Sequence, residues 1–230
     1  VVMVEHERLV LVTGAANGVG AATVLALRDT PDVRVIAVSR SAGLTGSRTH
    51  EERVEHLRLD LLDADACSRI TAHVGDRRLH ALVHNAGVLH RVPMGEYRRS
   101  DLERVFATNV LVPLELTQAL MHRLEGEPPG HIVHIGSMGG FQDSIKFPGL
   151  AAYSSSKAAL ACMAQCMAEE FKDRGIRSNC LALGSVDTDM LREAFPGYRA
   201  ATSAREMGAF VADFALNGHK LFNGKVLPVA

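Results

Sequence analysis

The chain has 230 residues, 47% of them hydrophobic, enough to bury one sizeable core. Its formal net charge of -1 gives no reason to expect nucleic acid, a polyanion or an anionic membrane as partner. No apolar run approaches the ~18 to 20 residues that span a bilayer, and the opening run VVMVEHERLV is too short and too acidic for a secretory signal. The four cysteines, Cys67, Cys162, Cys166 and Cys180, show no CxxC spacing, so a reduced, cytoplasmic chain fits better than a disulfide scaffold. Cys162 and Cys166 share a helix face, which suggests apolar packing. Eleven histidines are scattered, and His131 and His134 in one strand point to opposite faces, so no metal site is expected.

Apolar runs and helix-length patterns alternate along the chain. RLVLVTG (8–14) reads as a buried strand and GVGAATVLALRD (18–29) as a helix. VRVIAVSR (33–40) is a second strand, HLRLDL (56–61) a third and HALVHNAG (80–87) a fourth. A helix follows over 99–125, then HIVHIGS (131–137) as the fifth strand and a long helix over 151–173. IRSNCLAL (176–183) is a sixth strand and KVLPV (225–229) a short last one. Short β-branched runs separated by helices call for an α/β fold, a doubly wound parallel sheet of about seven strands covered on both faces. With no repeat and no linker, 1–230 reads as a single domain. The irregular stretches are 41–55, a polar surface excursion, and 138–150 and 184–203. The last two follow strands five and six, where an α/β sheet places ligand-contacting loops.

The first strand runs into TGAANGVG (13–20), where a helix begins. Glycines let such a turn take positive φ and let backbone approach a bulky anion, and the helix start offers unpaired N–H groups to phosphate. The spacing is GxxxGxG rather than the GxGxxG of the standard dinucleotide fingerprint, so a turn without ligand fits the same residues. The second strand ends Ser39-Arg40, without the carboxylate that would bond ribose hydroxyls. A guanidinium there suits a 2′-phosphate, which favours NADP(H) over NAD(H). An ordinary solvated loop arginine is the alternative.

Tyr153 and Lys157 lie four apart in YSSSK, one helical turn, so an ammonium stands beside a phenol whose ordinary pKa of about 10 makes it a poor acid or base at neutral pH. Alone, such a pair fits a solvated helix surface equally well. Ser137 ends strand five at the carboxyl edge of the sheet, Asn109 sits mid-helix against its propensity, and Asn85-Ala86-Gly87 ends strand four at the same edge.

Taken together, TGAANGVG, the NAG at 85–87, Asn109, Ser137, YSSSK and LGSVDT (183–188) resemble the short-chain dehydrogenase/reductase family, in its compact single-domain branch. The resemblance runs in unbroken order to about residue 190 and implies a Rossmann-type fold. It implies that Tyr153 is general acid or base, that Lys157 lowers its pKa and bonds the nicotinamide ribose, and that Ser137 polarises the substrate oxygen. Asn109 would hold a water linking Lys157 to solvent. Thr13, Gly14, Asn17, Gly18, Val19 and Gly20 would lie along the cofactor pyrophosphate, with Ser39 and Arg40 at the adenosine ribose. Asp60 and Leu61 would meet the adenine, Asn85, Ala86 and Gly87 the adenosine side of the cleft, and Gly184, Val186 and Thr188 the nicotinamide. The implied activity is NADP(H)-dependent interconversion of a small-molecule carbonyl and alcohol by a homodimer or homotetramer, with helices 99–125 and 151–173 as subunit faces. A non-redox, dinucleotide-sensing protein on the same fold is the alternative.

The chain also departs from the family pattern. His84 and His134 stand at frequent asparagine positions on adjacent strands, where the two imidazoles could face each other as a brace. Ser137 and Tyr153 are sixteen apart, longer than usual, and Leu183 replaces a common proline. Met190, Leu191, Phe195 and Tyr198, with Phe141, Ile145 and Phe147, are candidates to cover an apolar pocket, or for plain packing.

Overall fold

The computed structural model describes residues 7–41 and 51–229. Seven strands form one parallel sheet: β1 (Arg8–Thr13), β2 (Val33–Ser39), β3 (Val54–Arg58), β4 (Leu79–His84), β5 (Gly130–Ile135), β6 (Ile176–Leu183) and β9 (Val226–Val229). Their spatial order is β3-β2-β1-β4-β5-β6-β9. The chain therefore winds outward on one side from β1 to β3 and on the other from β4 to β9. The reversal lies between β1 and β4, and their carboxyl ends open a crevice there. A separate two-residue pair, β7 (Val186–Asp187) with β8 (Thr202–Ser203), joins the chain on either side of α6 (Asp189–Ala194).

Alternation along the strands sends residues to two cores. Val10, Val12, Val35, Ala81, Val83 and Val133 pack under α1 (Gly18–Arg28) and α7 (Ala204–Asn217). Leu9, Leu11, Ile36, Val38, Leu82 and Ile132 pack under α2 (Ala66–Val74), α4 (Val112–Leu124) and α5 (Ala151–Glu170). The continuous apolar strands of the sequence are thus buried on both faces, as a parallel sheet requires.

The structure departs from the sequence expectations at several elements. The third strand spans 54–58 rather than 56–61. The helix expected over 99–125 is α3 (Arg99–Phe106), a single π turn (Ala107–Leu111) and α4. Three helices carried no expectation: α2, α7 and α6, which falls in the stretch 184–203 read as irregular. In α2 only Ala66, Ile70 and Val74 are buried, a stripe one residue wide that gives a weak periodic signal. In α7 the N-terminus is written in the sequence: the Ser203 hydroxyl accepts from Glu206 N at 3.2 Å, and Ser203 N donates to the Glu206 carboxylate at 2.9 Å, a capping box. Of the excursion expected at 41–55, residues 42–50 lie outside the described residues. Cys162 and Cys166 do not pack in the core but are exposed on the outer face of α5. The helix turns Ala164, Met167 and Ala168 inward instead.

Helices α1 and α7 approach closely because Gly208 has no side chain. A Cβ there would lie 2.4 Å from Ala22 Cβ and 2.7 Å from Thr23 N. Helix propensity favours Gly208→Ala by about 1 kcal/mol, whereas overpacking costs about 1–3 kcal/mol. Rigid backbone as the neighbour puts the cost at the upper end. We expect Gly208→Ala to lose about 1–2 kcal/mol net, read as a lower denaturation midpoint; a gain in stability would contradict this packing.

Candidate active site

The turn after β1 opens the crevice. Gly14 and Gly18 have φ of 67° and 55°, a region where a side chain is strained. Asn17 precedes α1 without a side-chain cap, and no acidic residue stands in the first turn. The leading N–H groups of α1 are therefore offered to an anion at the positive end of the helix dipole. Asn85 braces this turn from β4: its Nδ2 donates to Thr13 O and Gly14 O, both at 3.0 Å. The Thr13 hydroxyl accepts from Asn85 N and Ala86 N, each at 3.2 Å. A Cβ on Gly20 would stand 2.3 Å from the Asn85 amide. The geometry of Asn85 is thus a structural tie between the two strand ends rather than a group turned out toward a ligand.

Ala15 N donates to Val38 O at 3.2 Å, which sets the end of β2 beside the turn. Ser39 Oγ donates to Ser41 O at 2.7 Å, and the exposed Arg40 follows it, with its carbonyl held by Arg58 Nε at 3.0 Å. Leu59 N bonds Ser39 O at 3.0 Å and so carries Asp60 and Leu61 to the same edge, where the Asp60 carboxylate accepts from Leu62 N at 3.0 Å. On the far side Gly184 N donates to Val229 O at 2.6 Å, and Val186 is buried. Thr188 caps α6, accepting from Leu191 N at 3.3 Å, and its methyl would lie 3.2 Å from a Cβ on Gly18. The loop after β6 therefore rests on the glycine turn.

Ser137 caps a short 3₁₀ turn (Met138–Gly140) at the end of β5, its hydroxyl accepting from Gly139 N at 3.1 Å. Gly140 has no Cβ and lies against α5, where one would come 2.6 Å from Ala158 N, so the turn presses Ser137 toward the helix carrying Tyr153. Tyr153 is half-buried. Burial pushes its phenol above the ordinary value, and the neighbouring Ser137 hydroxyl offsets this in part. Lys157 is 4% exposed, donates from Nζ to Ile135 O at 2.7 Å, and lies 5.9 Å from the centre of the Tyr153 ring. Desolvation pulls its pKa down to about 8. The resemblance implied that Lys157 lowers the tyrosine pKa; in this geometry burial dominates and the shift is upward. The ammonium is turned to a carbonyl and stands off the ring.

Asn109 is fully buried in the π turn. Its Oδ1 accepts from Val88 N at 2.8 Å, and its Nδ2 donates to Val88 O at 3.0 Å and Ser156 Oγ at 2.9 Å. Both amide protons are taken, which explains an asparagine against helix propensity. Ser156 donates to Tyr153 O at 2.7 Å and so links Asn109 to the tyrosine's own backbone. No sequence expectation named it; its place between Tyr153 and Lys157 was the available signal. Tyr97 was missed too. Its hydroxyl donates to Gly149 O at 3.0 Å and accepts from Ala152 N at 3.4 Å, pinning the start of α5.

His84 and His134 are register partners on β4 and β5, and their rings stack with centres 5.0 Å apart and planes 21° from parallel. The expected facing pair is present. His84 Nε2 meets Thr117 Oγ1 at 2.8 Å and His134 Nε2 meets Ser178 Oγ at 3.3 Å, so the pair fills the layer behind Lys157. His131, on the other face, bonds Ala215 O at 3.1 Å and Asn179 at 3.0 Å. Among the described residues no group of three or more potential metal ligands occurs, and no helix is long and apolar enough to cross a membrane.

With this geometry in place, comparison with known proteins assigns the family. A sequence model of the short chain dehydrogenases matches residues 8–199. The chain belongs to the short-chain dehydrogenase/reductase family. It is 34% identical over 198 residues to carbonyl reductase [NADPH] 2 of Sus scrofa, covering 85% of this chain and 79% of that protein. It is 34% identical over 188 residues to 2,3-dihydro-2,3-dihydroxybenzoate dehydrogenase of Escherichia coli, covering 80% of this chain and 71% of that one. A putative NAD(P) dependent gluconate 5-dehydrogenase from Beutenbergia cavernae, solved with bound NADP at low occupancy, superposes with a TM-score of 0.82 at 25% identity. The overlap takes in 97% of this chain and 95% of that one. This short-chain dehydrogenase/reductase thus has the family's Rossmann-like single domain, its nucleotide-binding architecture and its oxidoreductase character.

Burial holds His84 and His131 neutral, pulling each pKa down to about 3, against about 6.5 in an unfolded chain. Between those values the unfolded chain binds protons that the folded one does not, so stability falls as pH falls. We expect unfolding free energy to be independent of these two groups above about pH 7 and to drop below it by about 1.4 kcal/mol per pH unit for each. Chemical denaturation at stepped pH measures this; a flat profile from pH 7 to 4.5 would contradict it.

Proposed function

We propose that the protein is an NADP(H)-dependent oxidoreductase that interconverts a small-molecule carbonyl and its alcohol, with the whole site in one domain. The observation that carries this reading is the meeting of Tyr153, Ser137 and Lys157 at the carboxyl edge of the sheet, beside an uncapped helix start. The residues fit a dinucleotide. The glycine turn and the free N–H groups of α1 suit a pyrophosphate. At the end of β2, Ser39 and Arg40 supply a cation and a hydroxyl where a 2′-phosphate would lie, with no carboxylate to repel it. The Sus scrofa relative, an NADPH enzyme by name, supports the same preference.

When bound, the dinucleotide supplies or accepts the hydride. The chain's own residues handle the proton. The raised pKa of Tyr153 keeps it a phenol at neutral pH, the form that donates to a carbonyl oxygen during reduction. Ser137 Oγ would hold that oxygen beside the Tyr153 phenol, whose pKa it lowers from close by. Lys157, still mostly an ammonium at pH 7 with its pKa of about 8, would stabilise the phenolate left behind and would bond the ribose of a bound dinucleotide. Asn109 and Ser156 fix the helix that carries both, and a water held near Asn109 would return the proton from solvent. Thr188, Val186 and Gly184 would wall the nicotinamide side.

Exposed Leu111 and Leu114 on α4 and its preceding π turn, and Phe106 on α3, suit a face covered by a second copy in a homodimer or homotetramer.

Absorbance loss at the dihydronicotinamide band, screened over ketones and aldehydes with NADPH and NADH, tests the reading. Tyr153→Phe should lower turnover at least about 100-fold with NADPH binding retained, and Arg40→Ala should weaken NADPH at least about tenfold more than NADH. Full activity in the first variant, or equal losses in the second, would sink the corresponding assignment.

A further inference from the structure

Two loops are rooted in the candidate site. The stretch 138–150 runs from Ser137 to the start of the helix bearing Tyr153, and α6 begins at Thr188, which rests on the glycine turn. One side chain from a third segment ties them together. Arg91, in the extended stretch after β4, donates from Nη1 to Ala194 O at 3.1 Å and from Nε to Pro148 O at 3.4 Å. Its guanidinium carbon lies 4.8 Å from the centre of the Phe195 ring. Phe195 in turn meets Phe147 edge-on, with centres 5.9 Å apart and planes at 73°. The 138–150 loop passes tightly under the arginine: a Cβ on Gly149 would come within 3.0 Å of Arg91 Cγ, and Val92 N donates to Gly149 O at 2.9 Å.

We propose that Arg91 is a positioning residue that fixes these two loops against each other and thereby sets the affinity for the carbonyl substrate. The substrate clause rests on the oxidoreductase reading above; the loop clause does not. Among the ion pairs of the described residues Arg91 has no carboxylate partner. Its charge is directed at two backbone carbonyls and a ring face instead. A planar guanidinium can bond carbonyls in its plane while an aromatic ring lies over that plane, which a lysine ammonium cannot reproduce. One carbonyl lies on the 138–150 loop, and the other carbonyl and the ring lie at the end of α6, so losing the side chain releases both segments. Loops held by few contacts open at low free-energy cost, and removing a shared anchor lowers that cost further. A small misplacement of substrate-positioning groups then weakens productive binding, while a cofactor held chiefly on the glycine turn and the braced end of β4 is affected far less.

Amide hydrogen exchange on full-length Arg91→Ala, Arg91→Lys and wild-type protein tests this, alongside KM, kcat and the NADPH Kd. We expect exchange in 146–150 and 189–196 to quicken about tenfold in Arg91→Ala. KM for the best carbonyl substrate should rise about tenfold, with a smaller change in kcat and the NADPH Kd within about twofold. Arg91→Lys should follow Ala rather than wild type. If Arg91→Ala fails to fold, Phe195→Leu, which leaves the arginine in place but removes the ring beneath it, should still quicken exchange in 189–196. Unchanged exchange in both loops overturns the proposal, as does faster exchange with unchanged KM. If wild-type protein reduces no carbonyl at all, the oxidoreductase reading fails, while the exchange data still decide whether Arg91 positions the loops.

Discussion

Lys157 carries an ammonium into a place almost without water, and the site is arranged around what that requires. Desolvating the charge to a pKa of about 8 costs on the order of 3 kcal/mol. The main-chain oxygen of Ile135 takes one of its protons. Gly87 passes so close that a Cβ would fall 3.3 Å from Nζ and 3.4 Å from Asn109 Oδ1, so small residues of the β4 turn are needed simply to leave the lysine room. A charge kept at that cost beside a half-buried phenol is the physical pattern that supports the proposed site.

The remaining supports are ties between loops. Asn85 joins the β4 end to the glycine turn, and Asn109 joins the β4 loop to α5 through Ser156. Tyr97 joins Gly149 to the first turn of α5. Each uses a polar side chain to satisfy backbone groups that the turns leave unpaired, which is why these segments hold one shape without regular structure. Behind them, the imidazoles of His84 and His134 stack in the buried layer. Burial makes His84 resist protonation, which leaves this layer sensitive to acid.

Strand positions were legible because both faces of the sheet are buried, so β1, β2, β5 and β6 are nearly unbroken apolar runs. The turn chemistry of TGAANGVG and the spacing of Tyr153 and Lys157 were legible for the same reason: each depends on neighbours in the chain. Other features were not. The narrow stripe of α2 carries too few apolar residues to announce a helix. The π turn at Ala107–Leu111 arises because Asn109 must reach Val88, a contact between segments twenty-one residues apart. The direction of the Tyr153 pKa shift depends on how much water reaches the ring, which no spacing encodes. Cys162 and Cys166 shared a face as expected, but which face meets solvent was decided by the neighbouring Ala164, Met167 and Ala168.

In the proposed site the half-buried phenol of Tyr153 and the buried ammonium of Lys157 become electrostatically coupled once a dinucleotide occupies the crevice. Because the chain has only three tyrosines, ¹³C labelling of the phenol ring carbons gives a spectrum simple enough to follow Tyr153 through a pH titration. Tyr153 is expected to titrate above the ordinary phenol value in the free protein and to move to lower pH when NADP⁺ is added, and the downward move is expected to disappear in Lys157→Met. A Tyr153 resonance that titrates at the value of a free phenol, with and without the nucleotide, would contradict it.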